Sequence, residues 1–250
     1  MTGKLTQPVG TLVGTALDVV FPPLCRSCEE VLPDGADSLL CEACSSKMQP
    51  ISSSCCPQCG APVDSTRKEG QLVKGCPRCP SSATALSFVR SAVRYDSPVR
   101  ELIHHFKFRG SEKVRPLLLE WFLKGAEEHL KRADYDAIVP VPLHWWRRFQ
   151  REFNQAEILG RRLADEWSVP LLAGALRRKR STLPQSRLRG KWRSRNIAGA
   201  FVAGKTPVCG MRLLIVDDVM TTGATLSACA EVLLKVGASS VVGYTLARRL

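Results

Sequence analysis

The stretch LLIVDDVMTTGATL, residues 213–226, decides how the rest of the sequence is interpreted. Its leading aliphatic run, Leu213 to Val216, is typical of a strand buried in a parallel sheet. Asp217 and Asp218 follow at once, and a buried strand does not tolerate adjacent carboxylates without partners. We therefore predict that the strand stops at Val216. Both acids then emerge at its carboxyl end and face a ligand or solvent.

A small, hydroxyl-rich turn follows the acids and leads into a helix predicted over Thr225–Val236. Backbone N–H groups, hydroxyls and the helix dipole converge on an anion at such a turn, which predicts a phosphate cradle. Gly223 permits a close backbone approach or a positive φ. A plainer interpretation is a helix capped by threonine beside solvated aspartates. The residues of the turn are Thr221, Thr222, Gly223, Ala224 and Thr225.

Similar aliphatic runs lie on both sides of this stretch. Ala137–Val141 and Val241–Leu246 are predicted strands, and Asn154–Glu166 has apolar residues at helical spacing. Strands alternating with helices predict an α/β domain, with a mostly parallel sheet and flanking helices. Ligands of such domains bind at the carboxyl ends of the strands, so the ends of these runs are the candidate site.

Charge and cysteine content divide the chain in two. The 36 basic and 23 acidic residues give a formal charge of +13. Residues 1–90 hold eight of each kind, so the whole excess lies in residues 91–250. Nine of the 11 cysteines lie between Cys25 and Cys79. We predict an N-terminal amphipathic segment at 1–20, a small cysteine-rich domain at 21–85 and the α/β domain at 86–250.

Composition also excludes some classes of protein. With 44% hydrophobic and 24% charged residues, the chain is neither fibrous nor wholly disordered. No run approaches the roughly 18 to 20 apolar residues of a membrane helix. The apolar segment Val9 to Phe21 contains Asp18 and lacks a small-residue cleavage site, so it is a poor secretory signal. We therefore expect a cytoplasmic protein.

Eight cysteines form four pairs with the same C-x2-C spacing. One such pair aims two thiolates at one cation, and two pairs complete a tetrahedral, structural zinc site. Taken in order, the pairs make two sites with inserts of 12 and 16 residues. Pairing the first turn with the third is equally open. The predicted ligands are Cys25, Cys28, Cys41, Cys44, Cys56, Cys59, Cys76 and Cys79.

Two other interpretations of the cysteines exist. A disulfide framework does not suit a reducing cytosol, whereas an iron–sulfur cluster stays an alternative on ligand type alone. Cys55, beside Cys56, is a candidate substitute ligand in the second site. Few large apolar residues separate the pairs, so we expect zinc rather than a normal core to hold this segment together.

The string at 213–226 resembles the signature of the type I phosphoribosyltransferases, which bind 5-phosphoribosyl-1-pyrophosphate. The resemblance implies that Asp217 and Asp218 hold the ribose hydroxyls and that Thr221–Thr225 holds the 5-phosphate. It also implies a pyrophosphate loop after an earlier strand, where Ile138–His144 reads IVPVPLH and includes Leu143 and His144. Magnesium would bridge the diphosphate and ribose oxygens.

Further strings resemble one branch of these proteins, the ComF family associated with DNA uptake in competence. The N-terminal cysteine pairs belong to the same pattern. Glu152 stands where the family pattern has glycine, which leaves the backbone of that turn less certain. The strings are Tyr95 with Lys107-Phe108-Arg109-Gly110, the VPVPLH run, Arg151-Glu152-Phe153-Asn154-Gln155, and Gln185 followed by Arg195-Asn196 and Phe201.

A basic run, RRKRSTLPQSRLRGKWRSR, occupies residues 177–195 and contains no acid. Pro184, Gly190 and the lack of an apolar period predict a mobile, solvated loop. It is a solubilising surface, a flexible loop closing over a diphosphate, or a nucleic-acid patch with Trp192 for base stacking. Its basic residues are Arg177, Arg178, Lys179, Arg180, Arg187, Arg189, Lys191, Arg193 and Arg195.

Two functions follow as hypotheses. The first is a magnesium-dependent phosphoribosyltransferase with an undetermined acceptor, linked to DNA uptake and natural transformation. The second is a non-catalytic module that uses the same fold to hold single-stranded DNA and to meet DNA-uptake proteins. The expected architecture is in both cases a phosphoribosyltransferase-like parallel sheet with flanking helices, preceded by a zinc-ribbon domain.

Overall fold

A computed structural model describes residues 22–33, 38–63, 76, 78–79, 85–108, 112–143, 153–179 and 199–250. Its strands are β1 (Val89–Arg94), β2 (Ala137–Pro140), β3 (Leu176–Arg178), β4 (Phe201–Ala203), β5 (Arg212–Met220) and β6 (Ser240–Arg248). Its helices are α1 (Glu42–Ser45), α2 (Val99–Phe108), α3 (Val114–His129), α4 (Gln155–Trp167) and α5 (Ala224–Lys235), with a 3-10 turn at Arg132–Asp134.

The main sheet has the strand order β1-β6-β5-β2, and all its pairings are parallel. The carboxyl ends of the four strands therefore lie along one edge. A separate antiparallel ribbon pairs β3 with β4. The parallel sheet and the helices predicted after Asn154 and Thr225 are confirmed, with bounds shifted by one residue.

The central strand β5 is longer than its sequence suggests. Predicted to stop at Val216, it continues through both acids to Met220, and this part of the prediction is wrong. The reason is β6, which stays in register with β5 from Ser240 to Arg248. On the other side, β2 ends at Pro140, opposite Val216. The acids thus lie beyond the end of β2 while the strand that carries them is still paired with β6.

Helices cover both faces of the sheet. Leu214 and Val216 belong to a buried cluster that contains Phe106 of α2, Phe122 of α3 and Leu159 of α4. The alternate residues Leu213 and Ile215 pack into a second cluster with Leu226 and Leu233 of α5. Since successive side chains of a strand point to opposite faces, β5 contributes to both cores.

The cysteine-rich segment is attached to the edge of the sheet. Residues 49–58 run along β1, where Ile51 N–H donates to the Ala92 carbonyl at 2.9 Å and Val89 N–H to the Gln58 carbonyl at 2.9 Å. Leu32 and Met48 are buried in the same cluster as α2 and α3. The few apolar residues of the segment are thus buried against the neighbouring domain.

The start of the basic run also differs from its prediction. Arg177 and Arg178 are not in an irregular loop but in β3, paired with Val202 and Phe201. The sequence does not predict this strand because it has only three residues. One buried leucine followed by two arginines is too short a pattern to show the alternation of a strand. Lys179 follows the strand and is exposed.

Several predicted features lie outside the described residues. They are the segment 1–20, the stretch 144–152 with His144 and Glu152, and the basic residues Arg180, Arg187, Arg189, Lys191, Arg193 and Arg195. Within the described ranges, no helix has the length and apolarity needed to cross a bilayer.

Candidate functional site

The two acids of β5 lie at the carboxyl edge of the sheet, and each has a different neighbour. Asp218 forms an ion pair with Lys107 of α2, whose Nζ lies 2.5 Å from Oδ2, and both side chains are largely buried. Asp217 Oδ1 accepts a hydrogen bond from the backbone N–H of Asp218 at 2.9 Å. Burial raises the pKa of the Cys229 thiol of α5, and the negative charge of Asp217 raises the pKa of that thiol further.

The electrostatic environment of the two acids favours the binding of a proton by Asp217. Burial, followed by the negative charge of Asp218, raises the pKa of Asp217 from 3.8 to about 7. The cations Lys107 and Arg178 act in the opposite direction. Two adjacent carboxylates therefore share a site that holds fewer than two negative charges near neutral pH.

Neither cation was predicted as a partner of the acids. Lys107 appears in the sequence only within the KFRG string, and its contact with Asp218 spans more than a hundred residues of chain. Arg178 was assigned to nucleic acid, yet its guanidinium lies 5.4 Å from the centre of the Phe201 ring and within electrostatic range of Asp217. The exposed Arg177 and Lys179 lie beside it.

The turn after β5 leads directly into α5. Gly223 is the N-cap of α5 with φ of 77°, a left-handed conformation that favours glycine. This N-cap makes no side-chain hydrogen bond, and the Ala224 N–H donates to Thr222 Oγ1 at 3.4 Å. The first-turn amides of a helix have no partners within it and form a ready site for phosphate.

The loop after β2 reaches the same edge. Val141 N–H donates to the carbonyl of Val216 at 2.9 Å, and Asn154 Nδ2 donates to the carbonyl of Val141 at 3.1 Å. These bonds fix Val141 beside Val216, the residue before the acid pair. Leu143 on one side, and both acids and the Thr221–Thr225 turn on the other, thus lie toward the carboxyl ends of neighbouring parallel strands.

The cysteines form two groups of four in chain order. The first contains Cys25, Cys28, Cys41 and Cys44, and the second Cys56, Cys59, Cys76 and Cys79. Sulfur–sulfur distances include 3.6 Å for Cys28–Cys41 and 3.4 Å for Cys59–Cys76. Zinc–sulfur bonds of about 2.3 Å place sulfurs about 3.8 Å apart in a tetrahedron, so both groups fit zinc.

The connectivity left open by the sequence is thereby settled in favour of consecutive pairs. Cys55 is not in the second group, and its backbone forms an isolated antiparallel bridge with Pro62. Burial raises the pKa of the Cys55 thiol. Bound zinc would link two knuckles in each ribbon and leave no open coordination position, which makes both sites structural.

A cleft of about 1010 Å³ lies beside this edge, across the outer face of α4. Pro142, Leu143 and Arg178 line it, but the acid pair and the Thr221–Thr225 turn do not. Its walls include two acids, Glu157 and Asp165, against six cations. The cations are Arg115, Arg161, Arg162, Arg177, Arg178 and Lys205.

Comparison with known proteins identifies both halves of the chain. A family model described as a double zinc ribbon domain matches residues 16–83, and one described as a phosphoribosyl transferase domain matches residues 156–250. The DNA utilization protein YhgH of Escherichia coli (strain K12) is 32% identical over 237 residues, which cover 93% of this chain and 100% of that protein. Competence protein F of Haemophilus influenzae is 32% identical over 159 residues, covering 62% of this chain and 69% of that one.

The chain belongs to the ComF family. Its phosphoribosyltransferase-like sheet and its preceding double zinc ribbon are confirmed by these matches and by the two cysteine groups. Among solved structures, the orotate phosphoribosyltransferase from Aeropyrum pernix aligns with a TM-score of 0.34 and 25% identity, over 63% of this chain and 67% of that one.

We predict that Asp217 of this ComF protein titrates near pH 7. Carbon-13 NMR of the aspartate carboxyl groups measures this directly, and Asp218→Asn should lower the pKa of Asp217 by removing the neighbouring charge. Because the folded protein holds this proton more tightly than the unfolded chain, the group's contribution to stability falls as the pH rises from about 4 to about 7.

Asp136 is the internal control for this titration. Its hydrogen bonds with Arg212 lower its pKa to about 2, so its resonance should not move between about pH 5 and pH 9. An Asp217 resonance that titrates near pH 4 would contradict the burial and charge coupling described here.

Proposed function

We propose that this ComF protein binds 5-phosphoribosyl-1-pyrophosphate at the carboxyl edge of β5. One observation carries the proposal: a buried strand, an acid pair, a left-handed glycine turn and a helix N-terminus follow one another without interruption. Each part matches a different part of a sugar phosphate. The turn is suited to phosphate, and the acids are suited to hydroxyl groups.

In this proposal the ligand lies across two strand ends. The amides of the Gly223 turn and the hydroxyls of Thr221, Thr222 and Thr225 take the 5-phosphate. Asp217 and Asp218 accept hydrogen bonds from the ribose hydroxyls. Leu143, which follows β2, and His144, the next residue in the sequence, take the pyrophosphate. The strand order supports this arrangement, since β2 and β5 are direct neighbours.

Charge at the site must be balanced for such a ligand to bind. The diphosphate and the two carboxylates repel each other, and Lys107 already neutralises part of the acid pair. Magnesium suits the remaining oxygen-rich site, with Asp217 and Asp218 as candidate ligands and waters completing its shell. Bound magnesium would neutralise charge on the diphosphate.

The proposed reaction is transfer of the phosphoribosyl group to an acceptor, with release of pyrophosphate. The residues at the edge of β5 contribute by holding the ribose and the departing pyrophosphate in place, so catalysis is mainly electrostatic positioning. Two of the relatives are a DNA utilization protein and a competence protein, which supports a role in DNA uptake.

We predict that Asp218→Asn weakens binding of 5-phosphoribosyl-1-pyrophosphate with magnesium by about tenfold to a hundredfold, the worth of one or two charge-assisted hydrogen bonds. Isothermal titration calorimetry measures the affinity, and a screen of nucleobases for pyrophosphate release measures turnover. Asp217→Asn should behave in the same way.

Glu120→Gln is the matched control for these variants. Glu120 is an exposed acid of α3 whose ion-pair partner is Lys124, so its loss should leave the affinity unchanged. If wild type and Asp218→Asn bind the diphosphate equally, the assignment of the acids is wrong.

The cleft across α4 favours a second function, the binding of single-stranded DNA. Six cations against two acids give its described walls a positive balance, and Arg161 and Glu157 already form an ion pair at 3.2 Å. A groove of this charge neutralises phosphates and releases counterions. Arg177 and Arg178 of the basic run line it, and the exposed Lys179 follows them.

We predict that the double variant Arg115→Gln/Lys205→Gln weakens binding of single-stranded oligonucleotides of every sequence. Fluorescence anisotropy over a salt series should show a double-logarithmic slope smaller in magnitude by about 1.4, since each phosphate contact contributes about 0.7. Asp217→Asn should leave DNA affinity unchanged.

The control Lys131→Gln/Lys235→Gln removes the same charge from exposed positions outside the cleft. An equal loss of affinity in the control would show that overall charge, rather than the cleft, attracts DNA. An affinity of wild type that does not change with salt would contradict DNA binding by this surface.

A further inference from the structure

Arg248, the last residue of β6, is the least exposed charged residue within the ranges that the structure describes. It is 2% exposed. A buried guanidinium is costly unless its charge is balanced and its N–H groups are hydrogen-bonded. No carboxylate of the described residues lies within ion-pair distance of it. Its counter-charge must therefore come from another kind of group.

That group is a cysteine of the second metal site. Arg248 Nη1 donates to the carbonyl of Cys59, and Nη2 lies 3.4 Å from Cys59 Sγ. A neutral thiol is a poor partner for a buried cation, whereas a metal-bound thiolate is a good one. Four thiolates around one Zn²⁺ leave the site with a net negative charge. Arg248 is thus placed to balance that charge.

The second site also lies against the sheet. Two of its ligands, Cys56 and Cys59, are 1% and 2% exposed. Gly60, directly after Cys59, approaches the sheet so closely that an added Cβ would lie 2.5 Å from the Val89 carbonyl oxygen. The knuckle around Cys59 therefore cannot shift without disturbing the strands beneath it.

The other side of Arg248 contacts the strand that ends at the candidate phosphate cradle. Met220 is the register partner of Arg248, and its Sδ lies 3.2 Å from Nη1. The backbone N–H of Arg249 donates to the Met220 carbonyl at 2.9 Å. Met220 is 4% exposed and directly precedes Thr221. The guanidinium thus contacts both Cys59, a candidate metal ligand, and Met220, the residue before the turn.

Met220 in turn packs against the turn itself. A Cβ built on Gly223 would lie 2.8 Å from Met220 Cε, so the Met220 side chain occupies the space beside this glycine. Close approaches therefore run from Cys59 through Arg248 and Met220 to Gly223.

We propose that Arg248 is a positioning residue that couples occupancy of the second zinc site to the order of the Thr221–Gly223 turn. The metal-bound Cys59 thiolate holds the guanidinium, and the guanidinium holds Met220 beneath the turn. When zinc leaves this site, the thiolates take up protons from water, so the negative charge that balances Arg248 is lost and the support of the turn is lost with it. The consequence for sugar-phosphate affinity rests on the proposed function, but the coupling itself does not.

The experiment uses the full chain loaded with two equivalents of zinc, and the variants Arg248→Met and Arg248→Lys. Arg248→Met keeps much of the side-chain volume and removes the charge and donors. We expect one of its two zinc ions to pass to a chromogenic chelator about tenfold to a hundredfold faster than in wild type, the usual effect of losing an outer-shell partner. Hydrogen–deuterium exchange should show a loss of protection over residues 220–226. Arg248→Lys retains the charge and should show both effects more weakly.

Arg90→Met is the matched control. Arg90 donates to the Pro57 carbonyl at 2.9 Å in the same knuckle, but the contact chain to Met220 does not pass through it. It should leave exchange over residues 220–226 unchanged. Equal loss of protection in Arg90→Met would overturn the proposal, because any weakening of the knuckle would then suffice. Faster zinc release without a change in the turn, or no change in zinc release in either Arg248 variant, would also overturn it.

A third measurement separates this proposal from the proposed function. Calorimetry with ribose 5-phosphate is performed on wild type and Arg248→Met. If wild type does not bind, the sugar-phosphate site is wrong, and the coupling is judged on zinc release and exchange alone. If wild type binds and Arg248→Met binds equally well, the coupling does not reach the ligand and the proposal fails.

Discussion

The parallel pairing of β5 with β6 and β2 is the constraint on which the site depends. Leu213 to Val216 are buried from both faces, so no functional group can appear along that part of the strand. Polar residues become tolerable only after Val216, where β2 has ended and β5 keeps one partner. The acids, the turn and the loop after β2 therefore lie at one edge, because each follows the buried part of a parallel strand.

Electrostatics at that edge is a balance among groups from distant parts of the chain. Lys107 of α2 and Arg178 of β3 approach acids that lie in the second half of β5. Their charges oppose the burial and repulsion that raise the pKa of Asp217. Arg248, at the end of β6, contacts Cys59 of the second zinc site, and Pro50 of the cysteine-rich segment bridges to Val93 of β1. The double zinc ribbon is therefore in direct contact with the domain whose edge it borders.

Much of this was predictable from local sequence. The strand at 213, the helix after Gly223 and the cysteine ligands each have a signal contained within a few residues, and the structure retains them. The length of β5 was not predictable, because it depends on how far β6 continues beyond β2. The partners Lys107 and Arg248 carry no local signal, since their contacts form only after the sheet has brought separated segments together. The short strand β3 was hidden because three residues cannot display a period.

Phosphate binding by the backbone amides of the turn after β5 is open to direct test. A proton–nitrogen NMR titration follows the isotope-labelled, zinc-loaded protein as ribose 5-phosphate is added. We expect saturable shifts that are largest for the amides of Gly223, Ala224 and Thr225. Saturable binding that leaves these three amides unmoved, with the largest shifts instead along the α4 cleft around Arg161, would contradict it.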